Sequence, residues 1–106
     1  MLLINAISVN MLPQSGATLR IKPITLDEAK GMLSDGVTSA IGHADTATVV
    51  GSMLGMTVQP NRVSVQLSHH EEAVVAQYIG PRLPEGATSL PEGAKIEFFH
   101  LTVGEL

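Results

Sequence analysis

His43 is the side chain in this sequence best placed for acid–base chemistry. The apolar residues from Val49 to Leu54 have the spacing of one buried helical face, so His43 is expected where a loop becomes a helix. The free N–H groups and positive dipole of a helix start favour a bound phosphate, and an imidazole there could exchange a proton with it. Alternatively, His43 only caps the helix or lies on the surface. Asp45 could likewise cap this end or face solvent.

A loop with two prolines presents two further charged side chains. Proline has no N–H and restricts the preceding residue, so Pro81 and Pro84 should fix the directions in which Arg82 and Glu85 project. These charges could bind a ligand, or they could pair with each other on the surface for at most about 1 kcal/mol. Arg62 begins a predicted strand at the rim of the sheet and could be a ligand contact or a surface charge.

Polar side chains also follow the first predicted strand. The apolar run Leu2–Ile4 is typical of a short buried strand, and Asn5, Ser8 and Asn10 come after it. Ligands of open α/β sheets usually bind at the carboxyl ends of strands, so these side chains could point into a binding cleft. The alternative is turn chemistry, because Asn and Ser also hydrogen-bond to their own loop backbone.

A metal site is not predicted. His69, His70 and Glu71 are adjacent, but adjacent residues on a strand point to opposite faces, and no second cluster completes a coordination shell. We therefore interpret this segment as a solvated turn. The chain has no cysteine, which excludes thiolate ligands and disulfides, and we expect no cofactor.

Composition limits the classes of partner. The 106 residues fit one domain, residues 1–106, and 44% hydrophobic content is enough for a core. The net charge of −4 argues against binding of duplex nucleic acid, and 3% aromatic content argues against stacking on single strands. The sequence shows neither a signal peptide nor an apolar run that approaches a membrane span, so we expect a cytoplasmic protein without membrane contact.

The remaining patterns predict an α/β fold with a single mixed β-sheet of about five strands flanked by short helices. Thr25 and Glu28 match a capping box for a helix over Leu26–Leu33, and Gly55 should end the helix that follows His43. Alternating or continuous apolar runs predict strands at residues 2–4, 17–22, 62–67, 73–79 and 95–103. Residues 37–41 could be a strand or an extended approach to His43.

Several separated motifs together resemble one known family. Residues 5–12, the segment Ala40–His43 with its helix, residues 61–63 and the loop Arg82–Gly86 resemble the viral ring nucleases that act as anti-CRISPR proteins against type III systems, and their bacterial relatives. Order and spacing agree from Leu3 to Gly86, and the last strand also fits. Each motif alone is weak, but the combination is fairly specific.

The resemblance implies a homodimer that binds cyclic tetra-adenylate across the subunit interface, in the host cytoplasm if the protein is viral. It would cut the ring into linear di-adenylates without a metal, through attack by a ribose 2′-hydroxyl, and so switch off type III CRISPR signalling. By this resemblance His43 is the general acid and Arg82 neutralises the phosphoryl charge. Glu85 either orients the ribose or accepts the 2′-hydroxyl proton.

The resemblance also implies substrate-binding roles. Ser8, with Asn5 and Asn10, would hold the ring in the geometry for in-line attack. Two copies each of Arg62 and Arg82 would converge on four phosphates.

This chain departs from the family in two places. Gly80-Pro81 stands where relatives often carry Ser-Gln, and a second Pro-Glu-Gly segment replaces a helix between Gly86 and Lys95. A cyclic-nucleotide sponge that binds without cleavage is therefore a second hypothesis. A third is a partner-binding protein that uses an exposed sheet edge.

Overall fold

Five strands in the order β2-β5-β4-β1-β3 form the sheet of the computed structural model, which describes residues 1–106. The strands are β1 (Leu2–Ile4), β2 (Thr18–Ile24), β3 (Thr38–Ser39), β4 (Glu72–Ile79) and β5 (Lys95–Gly104). Two α-helices, α1 (Leu26–Leu33) and α2 (Ala44–Leu54), and one 3-10 turn (Val9–Met11) complete the regular structure. The predicted α/β fold with one mixed sheet is confirmed.

The pairing of the strands is mixed. β1 runs parallel to both β3 and β4, whereas β5 runs antiparallel to β4 and β2. The central position of β4 buries the run Ala73–Ala76 on both faces, which explains why it is continuously apolar. Because β1, β3 and β4 are parallel, they end on the same side of the sheet, at Ile4, Ser39 and Ile79. We call this side the carboxyl edge.

Local signals define both helices. The Thr25 hydroxyl accepts from the Glu28 N–H (3.1 Å), and the Glu28 carboxylate accepts from the Thr25 N–H (3.0 Å). The hydrogen bond from the Thr25 backbone lowers the pKa of Glu28, and the predicted helix over Leu26–Leu33 is confirmed. α2 ends at Leu54, and Gly55 caps it in the left-handed conformation at φ 68°, as predicted.

The two faces of the sheet are covered differently. Both helices pack on one face, where residues such as Leu33 and Val50 meet Leu3 and Phe98 of the strands. The opposite face carries a smaller hydrophobic cluster that is covered by irregular segments. One of these segments, residues 57–68, contributes the buried side chain of Leu67 to this cluster. The core therefore lies mainly between the sheet and the helices.

The predicted strand over Arg62–Leu67 is wrong. Leu67 is buried, but Val63 is 52% exposed, and the segment makes only isolated backbone hydrogen bonds, such as that from Leu67 N–H to Met11 O (2.7 Å). Alternation predicts a strand only if the backbone runs close enough to a partner strand to form a ladder. This segment bonds beside β3 only at Asn61, through Ile41 O, and then leaves the free edge of the sheet, so the fifth strand is instead the short β3 within residues 37–41.

Turns occupy the positions that the sequence indicates for them. Glu71 N–H donates to Ser68 O (3.2 Å) and closes the histidine-containing turn. His69 Nε2 lies 2.8 Å from Gly16 O, whereas His70 faces Glu105, so the adjacent imidazoles point to different partners.

The two Pro-Glu-Gly segments form the same turn. In each, the N–H after glycine donates to the proline carbonyl (3.1 Å). Gly86 and Gly93 have φ of 77° and 82°, which suits the third residue of a type II turn.

None of the helices combines the length and the apolar character needed to cross a membrane. The longer of the two, α2, has 11 residues.

Gly51→Ala should destabilise the fold. A Cβ atom at Gly51 would lie 2.7 Å from Met56 O and 3.2 Å from Val58 N, both backbone atoms of the segment that crosses α2. We expect a loss of about 1–3 kcal/mol in the free energy of unfolding, measured with urea. Gly31→Ala in α1 is the matched control, because nothing lies within 4 Å of the added atom. Gly31→Ala should raise the free energy of unfolding by about 0.4–1 kcal/mol. Equal changes in this free energy at both glycines would contradict the close approach at Gly51.

Candidate functional site

The polar motifs of the sequence follow the three parallel strands. Asn5 comes directly after β1, His43 comes shortly after β3, and Arg82 comes shortly after β4. Since these strands end together at the carboxyl edge, segments that are far apart in the sequence meet there. Open α/β sheets bind ligands at this location because the loops after parallel strands converge on it.

One cleft at this edge brings together the predicted catalytic side chains. It has a volume of about 680 Å³, and its lining includes His43, Asp45, Arg82 and Glu85. We call it the histidine cleft. His43, Arg82 and Glu85 are exposed there and can be reached by a ligand.

His43 occupies the N-cap position of α2. Its backbone is extended (φ −95°, ψ 124°), and its carbonyl accepts the first helical hydrogen bond, from Ala47 N–H (3.0 Å). Its side chain makes no capping hydrogen bond. The imidazole is therefore free to act on a ligand beside the helix start, although it stands at the position of a cap.

Two hydrogen bonds hold the loop that carries Arg82 and Glu85, in addition to the packing of Leu83 against the core. The Tyr78 hydroxyl donates to Pro81 O at one end. At the other end, Gly86 N–H donates to the Asp45 carboxylate at 3.2 Å. Asp45 thus neither caps α2 nor points only to solvent. The sequence reasoning missed both anchors, because nothing local to Tyr78 or Asp45 indicates these contacts.

The arginines of the site have no carboxylate partner. The ion pairs of the structure lie elsewhere: His70–Glu105, Lys95–Glu97 and His100–Glu72. Arg82 and Glu85 do not pair with each other, so the alternative of a surface ion pair between them is not observed. Both Arg62 and Arg82 can therefore meet an anionic ligand without first breaking an ion pair. No three His, Cys, Asp or Glu side chains gather as potential metal ligands.

A second cleft at the same edge contains the predicted binding residues. It has a volume of about 310 Å³, and its lining includes Asn5, Ser8 and Asn10 as well as Ala40 and Val63. We call it the amide cleft. The Asn10 carbonyl accepts from the Gln66 amide (3.1 Å), but the side-chain amides of Asn5 and Asn10 make no hydrogen bond within the chain. Turn chemistry thus does not account for these two amides.

Arg62 lines neither cleft, but its neighbour Val63 lines the amide cleft, and Arg62 itself packs against Gly42, which precedes His43 of the histidine cleft. Asn61 fixes it there, because the Asn61 backbone N–H donates to Ile41 O and its side-chain amide donates to Ser39 O, both at 2.8 Å. A Cβ atom on Gly42 would lie 3.5 Å from the Cα of Arg62, so Arg62 packs against the residue before His43. These contacts of Asn61 were not predicted, because the alternation of residues 62–67 indicated a strand instead.

Comparisons with known proteins point to a viral family. The model of the STIV B116-like family matches residues 1–99. Protein B116 of Sulfolobus turreted icosahedral virus has a similar solved structure, with a TM-score of 0.79 and 30% sequence identity over 95% of this chain and 97% of that chain. No curated protein matches. These findings support the viral part of the predicted resemblance; cleavage of a cyclic oligoadenylate stays a prediction.

Asn61→Ala should loosen the segment that carries Arg62. The change removes the hydrogen bond to Ser39 O, so we expect a loss of about 0.5–1.5 kcal/mol in the free energy of unfolding. Amide hydrogen exchange should speed up at position 61, whose backbone N–H donates to Ile41 O. Gln66→Ala is the matched control, because it removes a similar amide bond at the other end of the segment. In that variant exchange should rise at Leu67, whose N–H donates to Met11 O, and not at position 61. Unchanged exchange at position 61 in Asn61→Ala would show that the Asn61 side chain does not hold this segment.

Proposed function

The chain belongs to the STIV B116-like family, and from its carboxyl-edge site we propose that it is a metal-independent ring nuclease that cleaves cyclic tetra-adenylate into linear di-adenylates. This activity would switch off type III CRISPR signalling in the host cytoplasm. The observation that carries the proposal is the convergence of His43, Arg82 and Glu85 in one cleft, although they follow different strands.

The proposed reaction is internal phosphoryl transfer. A ribose 2′-oxygen attacks the neighbouring phosphorus, and the bond from phosphorus to the 5′-oxygen of the next nucleotide breaks. The 2′-hydroxyl loses its proton to a base, and His43 gives a proton to the departing 5′-oxygen. Two such cuts turn one ring of four nucleotides into two di-adenylates, each ending in a 2′,3′-cyclic phosphate. Water is neither consumed nor released in these steps.

The charges around His43 suit a phosphate in transfer. Arg82 would face the negative charge that grows on the phosphoryl oxygens, where a charge-assisted hydrogen bond is strong. The free N–H groups of the first turn of α2 would support the same phosphate, since helical bonding begins only at Ala47. Glu85 would either accept the 2′-hydroxyl proton or orient the ribose. Glu85→Gln separates these roles, because glutamine can orient a hydroxyl but cannot take its proton.

A second copy of the chain would complete the ligand site. One protomer contributes Arg62 and Arg82, so a homodimer offers four arginines to four phosphates. Three of the five large apolar side chains that are most exposed lie in the segments that bear the site: Val9 (83%), Val63 (52%) and Ile79 (40%). Apolar residues beside a polar cleft are expected where a partner covers the site. Asn5, Ser8 and Asn10 would then hold the ring for in-line attack.

A cyclic-nucleotide sponge is the second candidate. The observation that favours it is the segment between Gly86 and Lys95, which contains a second turn and no helix that could cover the histidine cleft. An open cleft excludes water poorly, and exclusion of water strengthens the electrostatic effects on which catalysis relies. A sponge would bind the ring tightly and release it intact.

His43→Ala should separate the two candidates. With cyclic tetra-adenylate in EDTA, the wild type should yield linear di-adenylate, and the variant should be slower by about 10²–10⁴-fold because the general acid is lost. Ring binding should remain. Chromatography of the products measures the rate, and His70→Asn is the control, because asparagine tolerates the positive φ (74°) of that exposed residue.

One outcome would contradict the role of His43, and two would contradict the ring nuclease. Equal rates in the wild type and His43→Ala would remove His43 from the chemistry. An intact ring bound to the wild type would leave the sponge. Absence of both binding and cleavage would contradict both the ring nuclease and the sponge for this ligand.

Val63→Asp should weaken the proposed dimer. The change puts a charge on an exposed apolar side chain of the amide cleft, so sedimentation should show a shift from dimer to monomer. Binding of cyclic tetra-adenylate should fall as well, because each protomer holds only half of the arginines and the new carboxylate in the amide cleft repels phosphate; sedimentation is therefore the measurement that tests the dimer. Leu106→Asp, at an exposed apolar residue of the chain end, should change neither property. A wild type that is monomeric with the ring bound would contradict the shared site.

A further inference from the structure

Asp45 is the residue of the histidine cleft to which the proposed function gives no role. It lines the cleft together with His43, Arg82 and Glu85. A carboxylate here would repel the phosphates that the cleft is proposed to bind. A carboxylate at this position is therefore expected to have a structural role that outweighs this repulsion.

The contact of Asp45 with Gly86 indicates that task. Asp45 belongs to the first turn of α2, directly after His43, and Gly86 lies at the end of the loop with Arg82 and Glu85. The turn formed by Pro84–Ala87 orients the Gly86 N–H, and the Asp45 carboxylate accepts from it at 3.2 Å. A charged acceptor makes a stronger hydrogen bond than a neutral one.

Other contacts fix the loop at its beginning, through packing of Leu83 and Ala87 against the core, and just beyond its end, where the Ser52 hydroxyl of α2 donates to Thr88 O at 3.0 Å. Tyr78 holds Pro81 O at the beginning of the loop, but Tyr78 belongs to β4 and not to the helix that carries His43. Arg82 and Glu85 lie between the two anchors and are exposed. The bond from Gly86 to Asp45 is thus the hydrogen bond that links this loop to the first turn of α2, directly beside His43.

We infer that Asp45 is a positioning residue of the proposed ring nuclease: it fixes the loop of Arg82 and Glu85 to the start of α2 and so sets their distance from His43. This inference rests on the proposed function. Asp45 touches neither the ring nor the reacting atoms in this account. Misplacement of charged groups by about 1 Å costs much of the rate in reactions that depend on positioning, which is why a loop anchor matters.

Asp27 provides a matched control within the same chain. It is the second residue of α1, as Asp45 is the second residue of α2, so both carboxylates interact with a helix dipole in the same way. Asp27 is exposed and makes no hydrogen bond to another loop. A difference between equivalent changes at Asp45 and Asp27 therefore reports the contact with Gly86.

The first test observes the contact itself. In amide NMR spectra of the full chain, Asp45→Ala should move the Gly86 N–H signal and speed its hydrogen exchange, because the N–H loses its acceptor. Asp27→Ala should change neither. A Gly86 signal that is identical in the wild type and Asp45→Ala would overturn the inference. This readout does not depend on cleavage of any ring.

The second test uses turnover of cyclic tetra-adenylate. Asp45→Ala should lower kcat by about 10-fold, the scale of one lost hydrogen bond, without weakening ring binding. Asp45→Asn keeps an acceptor oxygen for Gly86 and should recover most of the rate. If Asp45 acted through charge alone, both variants would instead bind the ring more tightly and show the same kcat, which would overturn the inference. If the wild type cleaves no ring, the proposed function fails, while the Gly86 signal still decides whether Asp45 holds the loop.

Discussion

The parallel pairing of β1 with β3 and β4 is the constraint on which the site depends. It makes three strands end at one edge, and it places Asn5, His43 and Arg82 within a few residues of those ends. Parallel neighbours need long connections, and the helices within these connections cover one face of the sheet. The burial that stabilises the fold therefore also brings three distant segments of the chain together.

The site is built from exposed side chains on a firmly fixed backbone. Hydrogen bonds to the backbone hold each segment: Asn61 anchors the Arg62 segment, and Tyr78 and Asp45 anchor the loop that follows β4. The side chains proposed to act on the ring are left without partners in the chain. This division between anchoring and acting residues is typical of sites in which loops on a rigid scaffold supply the chemistry.

Signals that act over a few residues made much of the fold predictable. The Thr25 capping box and Gly55 fixed the ends of helices, because the relevant hydrogen bonds join residues close in sequence. The strand predicted at Arg62–Leu67 failed, because alternation does not show whether the backbone runs along a partner strand. The contact of Asp45 with Gly86 spans 41 residues and has no local signal. His43, Arg82 and Glu85 were identified by resemblance, and only the fold brings them to one cleft.

The central claim is that this cleft opens a ring of adenylates by internal attack, without water. The most direct measurement is mass spectrometry of the products formed from cyclic tetra-adenylate in water enriched in ¹⁸O. Internal attack gives a linear di-adenylate with a 2′,3′-cyclic phosphate, with half the mass of the ring and no ¹⁸O in the first product. An intact ring, or a first product that already contains ¹⁸O from the solvent, would contradict it.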